Sequence, residues 1–292
     1  MTELKSLTTK EVARLCRVSD ATVKRWEDAG LLRSERTSGG HRRFRIEEIA
    51  RFQRENNLGL KQCHSDDSAT RAATRRRSNQ NLSHSSLFHA LIAGQEEETA
   101  NILIDAVLRG ESLPQLFDGI VAGAMCQIGD LWVSGELTIA QEHLASRTIL
   151  NAIQKLRAVV PVPTMTENMA ICCAVENDYH ELPTHLAQIV LESVGWEVLN
   201  FGANTPLYAL TPEVLQHSPR MICLSATMIF DLERTTRDYR EFYAELVKSN
   251  IAIVIGGRAF NDERIRKRFP AEQHVESFSH LAHFSQKISS AN

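Results

Sequence analysis

MAICCAVENDYHELPTHLAQIVLESVGWEVLNFGANTP, residues 169–206, reads as strand, loop, helix and strand. The apolar run 169–175 is a buried strand candidate, 184–194 is a helix closed by Gly195, and 196–201 is a second strand. Downstream the rhythm repeats, with a short helix at 212–217, a third strand at 221–224 and a long helix at 233–248 bearing Tyr239, Phe242 and Leu246 on one face. A fourth strand at 251–255 runs into Gly256-Gly257. Strands alternating with helices predict a doubly wound, parallel α/β sheet, flavodoxin-like or Rossmann-like, over residues 165–292.

Such sheets bind ligands at the carboxyl ends of their strands, at the switch point. The residues there are Asp178 and His180 after strand one, Ser225 and Thr227 after strand three, and Gly256-Gly257 after strand four. Imidazole is a common nitrogen ligand for transition metals. Asp178, two residues upstream, is placed to fix the His180 tautomer. Small hydroxyls and paired glycines let a bulky planar ligand, or its tail, approach the backbone. A lone His after a strand is more often structural; the whole set favours a ligand site.

Upstream, residues 87–160 predict four helices with short connections, a four-helix bundle. Ser86 caps 87–93, and 96–108 places Ala100, Leu103, Ile104 and Val107 on one face. Pro114 opens 115–131, and Thr138-Ile139-Ala140-Gln141 forms a capping box for a helix to about residue 159. Trp132 is expected in the loop before that last helix, with Glu142 and His143 in its first turns. By spacing alone, a Trp is usually packing and a Glu-His pair is often surface.

The N-terminal residues 1–60 hold 13 Lys/Arg against 9 Asp/Glu, whereas residues 81–292 hold 15 against 25. A basic head on an acidic body points to nucleic acid at the head only. Thr8 and Glu11 form a capping box for a first helix with Val12, Ala13 and Leu15 apolar; Arg17-Val18 turns, Ser19 caps a helix over 20–29, and Gly30 ends it. That second helix exposes Thr22, Lys24 and Arg25 and turns Val23 and Trp26 inward. Gly39-Gly40 then reverses a hairpin decorated by Arg33, Arg36, His41, Arg42, Arg43 and Arg45, a wing suited to phosphate contact. A helix over 46–57 with Ile49 and Phe52 inward closes this unit. Residues 61–86 are polar and read as a flexible linker. Its Arg75-Arg76-Arg77 run is either a solvated tether or extra non-specific DNA affinity.

The chain shows no signal peptide and no apolar run near the ~18 residues that span a bilayer. Its six cysteines form no CxxC pair and are expected as buried, reduced thiols, which predicts a cytoplasmic protein without membrane partners.

TTKEVARL, ATVKRWEDAGLL and GGHRRF resemble the winged helix-turn-helix of the MerR family over residues 6–57. The resemblance implies Lys24 and Arg25 at the major groove of double-stranded operator DNA, Arg42 on backbone phosphate, and binding as a dimer. No long heptad-bearing helix follows residue 57, so oligomerisation, as dimer or tetramer, is expected from the C-terminal part. Trp132, nine residues, then Glu142-His143 resembles the helical cap of cobalamin-binding regulators of the CarH and LitR light-responsive group. There the Trp covers the cofactor's upper face and the Glu and His help hold its adenosyl group. Asp178-x-His180, Ser225-x-Thr227, Gly256-Gly257 and FGANTP (201–206) resemble the cobalamin-binding domain of methionine synthase and its relatives. There the His binds cobalt from below, and the displaced nucleotide tail enters a channel lined by the serine and glycines. The resemblance runs over residues 87–290.

Two residues depart from these patterns. Pro183 replaces the motif glycine, which fixes φ but is tolerated in a first helical turn. Val133 stands where some light-sensing relatives have a His that takes cobalt's upper position after photolysis. Together the resemblances imply a MerR-type repressor controlled by adenosylcobalamin that bridges cap and α/β domain, a photoreceptor and not an enzyme. One alternative is a regulator whose degenerate cobalamin fold answers a protein antagonist or another ligand. A further one, a corrinoid carrier for methyl transfer, fits poorly with the basic head.

Overall fold

The computed structural model describes residues 6–15, 20–37, 39–45, 48, 52, 85–160, 163 and 167–290. The turn at Arg17-Val18, the Ser19 cap, most of the helix expected over 46–57, and the linker with its Arg75-Arg76-Arg77 run lie outside the described residues. The chain divides into two compact units, Met1–Arg71 with Cys126–His143, and Ala72–Met125 with Leu144–Asn292.

In the first unit, β1 (Ser6–Thr8) precedes α1 (Thr9–Leu15) and α2 (Asp20–Asp28); β2 (Glu35–Arg36) and β3 (Arg42–Arg45) form the wing. β3 lies between β1 and β2, antiparallel to both, a third strand that the sequence reading did not anticipate. Phe44 turns inward from β3 onto Val12, Ala13, Val23, Leu32 and Phe52, and Trp26 packs on Phe52 with ring centroids 4.6 Å apart. Burying each such side chain contributes on the order of 1.5–3 kcal/mol, which holds a small module together. Gly30, at φ 73°, ends α2 in the left-handed conformation, and Gly40, at φ 75°, closes the hairpin. The winged helix-turn-helix is the fold that the sequence predicts.

Four helices follow: α3 over residues 85–92, α4 (Glu96–Leu108), α5 (Leu113–Ser134) and α6 (Ile139–Val159). The Thr138–Gln141 capping box forms as expected, with the Gln141 N–H donating to Thr138 Oγ1 at 3.2 Å. Lys155 and Asn151 of α6 both reach Glu96 of α4, at 2.8 and 2.7 Å. The third helix departs from expectation. It starts at Leu113, widens into a π turn over Phe117–Val121, and continues to Ser134, so Trp132 is helical rather than in a loop. Gly135, at φ 83°, is the true stop, and the Glu136 N–H reaches back to the Leu131 carbonyl at 2.9 Å. At 22 residues this run is long and apolar enough to cross a membrane, contrary to the reading of the bare sequence. In the fold its Phe117 packs on Phe278, centroids 5.9 Å apart, and Asp118 accepts hydrogen bonds from Phe278 and Ser279, so protein covers that face.

The remaining elements of the second unit are β4 (Met169–Val175), α7 (Leu182–Glu192), β5 (Glu197–Thr205), α8 (Leu207–His217), β6 (Met221–Ser225), α9 (Leu232–Lys248), β7 (Ala252–Gly256), α10 (Glu263–Arg266), β8 (Gln273–Val275) and α11 (Phe278–Ser289). The strands form one parallel sheet in the order β5-β4-β6-β7-β8. Alternation explains why β4 reads as an unbroken apolar run. Ile171, Cys173 and Val175 face a core completed by Leu210 of α8 and Tyr239 and Phe242 of α9. Ala170 and Cys172 face the opposite core, with Leu191 of α7, Leu281 of α11 and Trp196. Helices cover both faces, the doubly wound arrangement that the strand pattern predicts.

Beyond α10 and α11, which the sequence reading did not name, three elements differ from it. β5 runs on to Thr205, and its pairing with β4 shifts register after Cys172. α8 begins at Leu207 with Pro212 inside it, because burial of Leu207 and Leu210 outweighs the hydrogen bond that proline forfeits. β8 is too short to have announced itself in sequence.

Candidate functional site

The sheet order places β4 beside β6 with their connections leaving to opposite sides, so the switch point lies between these two strands. The loops after them meet there. Asp178 is fully buried. Its Oδ2 accepts from the Thr227 N–H at 2.5 Å and the Met228 N–H at 3.5 Å. Its Oδ1 lies 3.2 Å from the His180 N–H and 2.6 Å from His180 Nδ1. A carboxylate can only accept, so Nδ1 carries the proton in this contact, and a ring with that one proton has its lone pair on Nε2. The His180 side chain is 50% exposed. The pair therefore holds the imidazole ring by Nδ1, leaving Nε2 without a partner among the described residues, the form in which a histidine can bind a transition metal.

The loop is braced from β5. Asn177 and Asn204 adopt φ 65° and 53°; the Asn177 N–H donates to Asn204 Oδ1, and the Asn204 N–H donates to the Asp178 carbonyl, both at 2.8 Å. Below them a polar chain leads to α6. The Gly202 N–H donates to Asn200 Oδ1 at 2.9 Å, Asn200 to Gln188 at 3.1 Å, and Gln188 to Glu192 at 2.8 Å. Arg157 of α6 forms a two-pronged pair with Glu192 at 2.6 and 2.7 Å. Beside it His185, half-buried against Gln154, has its pKa held down by burial. Of these partners, only Gly202 and Asn204 fell in a stretch the sequence reading quoted, FGANTP (201–206); for Asn177, an asparagine just after a strand, tolerant of left-handed φ, was the available signal.

Ser225 ends β6, and its Oγ is buried without a hydrogen-bond partner among the described residues. Thr227 contributes its backbone N–H to Asp178, a part the sequence reading, which chose it for its hydroxyl, did not name. Gly257 sits at φ 107°, and a Cβ there would stand 2.5 Å from the Ala226 carbonyl oxygen; Gly256 has Val275 Cγ2 at 3.0 Å in the same sense. Gly257 is thus required for the β6 and β7 loops to close on each other, whereas a Cβ at Gly256 would press on Val275 of β8. Tyr179, Phe201, Met228 and Phe230 are exposed large apolar side chains at this same carboxyl edge. Apolar residues in loops were the sequence signal for Tyr179, Met228 and Phe230, whereas Phe201 lies within β5.

Cys172, Cys173 and Cys223 lie in the sheet interior, and burial pushes the Cys173 thiol up to about 12. Of the described cysteines, Cys172, Cys173 and Cys223 are buried, as the sequence reading expected, whereas Cys126 is only partly buried.

Trp132, Glu142 and His143 belong to the first unit. Trp132 Nε1 is buried without a hydrogen-bond partner among the described residues. His143 is exposed, with Nε2 3.6 Å from Glu142 Oε2.

In the head, Lys24 and Arg25 are exposed on α2 and Thr22 is half-buried. Arg33 is exposed, Arg43 donates to the Arg42 carbonyl at 3.2 Å, and Arg45 pairs with Glu35 at 2.6 Å. Arg42, expected on phosphate, is turned instead to Glu27 and Asp28 of α2.

Two family descriptions match parts of the chain: MerR family regulatory protein over residues 8–44, and B12 binding domain over residues 84–157. The chain is similar to the HTH-type transcriptional repressor CarH of Myxococcus xanthus, 27% identical over 160 residues, 54% of this chain and 52% of that protein. It is 25% identical to dimethylamine corrinoid protein 2 of Methanosarcina mazei over 48% of this chain and 66% of that one. The chain thus spans between half and two thirds of the length of these two relatives. The HTH-type transcriptional repressor CarA of Myxococcus xanthus matches at 24% over 86% of each chain. The solved monomethylamine corrinoid protein of Methanosarcina barkeri shares the fold, with a TM-score of 0.59 and 17% identity over 69% of this chain and 96% of that one.

Proposed function

We propose that this chain, in which a MerR-family head is joined to a cobalamin-binding region, is a transcription regulator whose grip on operator DNA is set by the state of a bound cobalamin. The observation that carries the reading is the buried Asp178 carboxylate holding the His180 ring with Nε2 free at the switch point. The residues present fit the cofactor. His180 would take cobalt from below, and Asp178 would keep it in the ligating tautomer. The unpartnered Ser225 hydroxyl would hydrogen-bond the nucleotide tail, which supplies what that buried oxygen lacks. Tyr179, Phe201, Met228 and Phe230 would exclude water around the corrin rim. For Trp132, Glu142 and His143 the role at the cofactor's upper face rests on resemblance.

A bound adenosylcobalamin supplies a cobalt–carbon bond that light breaks. The finer reading is therefore a repressor that responds to adenosylcobalamin and light, binds as a homo-oligomer and catalyses no reaction. The similarity to the HTH-type transcriptional repressors CarH and CarA supports the repressor part of this reading, and the resemblance of the Trp132, Glu142 and His143 set supports the rest. Control requires only that the cofactor favour one arrangement of the chain, a coupling of about 1–3 kcal/mol.

The test is an absorption spectrum of protein desalted after incubation with adenosylcobalamin in the dark. Wild type should retain a corrin band, and His180→Ala should shift it to a form without histidine below cobalt. A colourless wild type contradicts cobalamin binding, and an unchanged His180→Ala spectrum contradicts ligation by His180.

A further inference from the structure

We infer that Glu27, an acidic residue inside a basic DNA-binding head, is a positioning residue that sets the wing against α2. The inference rests on the reading of the head as DNA-binding. Glu27 lies in the last turn of α2, with its side chain 14% exposed. The Ser34 hydroxyl donates to its Oε1 at 2.5 Å, just before β2. Arg42 Nε, at the start of β3, donates to its Oε2, and Arg36 of β2 stands 3.9 Å away. One carboxylate thus gathers three points of the wing. Arg42 also reaches Asp28, at 3.4 Å. The Ser34 hydrogen bond, with Arg42 and Arg36 nearby, holds the Glu27 carboxyl below its ordinary range, and the same pairing raises Arg42.

The consequence divides the basic residues of the head by task. Arg42 serves the joint between wing and helix. Lys24, Arg25 and Arg33, exposed and without an ion pair among the described residues, are among the charges left for phosphate and base edges. Phosphate contacts position a protein, and base contacts specify sequence. A wing fixed at one angle to α2 keeps both sets in register.

Charge alone and positioning predict opposite signs. Removing a carboxylate from a DNA-binding face should tighten binding if only net charge matters. Positioning predicts that the preference for one sequence weakens while non-specific binding does not. The experiment uses the full chain and two labelled duplexes, one enriched from a random-sequence library by the wild-type protein and one scrambled. Glu27→Gln should lower the ratio of selected to scrambled affinity by roughly tenfold. It should leave scrambled binding equal or stronger, with a steeper salt dependence as Arg36 and Arg42 are released. Ser34→Ala, which changes no charge, should lower the ratio by a smaller factor. It decides alone if a melting curve shows that Glu27→Gln does not fold. Ratios equal to wild type in folded variants overturn the inference. A library from which wild type enriches no sequence overturns the DNA-binding reading itself, and the inference with it.

Discussion

A fully buried aspartate with a hydrogen bond on every side has little freedom to be anything else. Asp178 accepts from two backbone N–H groups of the β6 loop and from both nitrogens that His180 presents to it. An amide at this position would turn an N–H₂ group toward either the Thr227 N–H or His180 Nδ1. Leaving one buried donor unsatisfied costs about 1–3 kcal/mol. Asp178→Asn should therefore lower the unfolding free energy measured in urea by that amount and weaken cofactor retention by roughly 10- to 100-fold, as loss of a metal ligand's supporting partner does. Unchanged stability and retention would contradict the role given to the carboxylate. His180 and Asp178 were legible in sequence because their chemistry is in their side chains. Asn177, Asn204 and the Thr227 N–H were not, since their part depends on where two backbones meet.

Among elements, stop and start signals decided what could be read. Trp132 lies inside α5 because Gly135, three residues on, is the first position that closes the helix. Pro183 falls in the first turn of α7, where no backbone N–H is needed, so the departure from glycine leaves the Asp178–His180 pair intact. The edge strand β5 was read too short, for its pairing shifts register beyond Cys172 and its burial no longer alternates. The π turn of α5 had no sequence signature, but it carries Asp118, which accepts from the Phe278 and Ser279 N–H groups and the Ser279 hydroxyl at the start of α11. Asp118→Ala removes this cap from another helix. It should destabilise the chain by about 0.5–2 kcal/mol in urea unfolding. A midpoint equal to wild type would show that Ser277 alone caps α11.

For the whole chain, charge and composition foretold a basic head and an acidic body, and the matches over residues 8–44 and 84–157 fall on those two parts. Composition could not reveal that the stretch Cys126–His143 groups with the head rather than with the body. That grouping depends on which surfaces meet, which residue counts do not encode. The central claim is that a cobalamin held at His180 governs binding at the head. It is tested most directly by titrating a labelled duplex, enriched on the wild-type protein, with the chain alone, with adenosylcobalamin in the dark, and with the same mixture after illumination. The account predicts that affinity in the dark with cofactor differs from the other two states by about 5- to 150-fold. It also predicts that His180→Ala narrows the difference. Three superimposed isotherms from protein that demonstrably retains its corrin would contradict it.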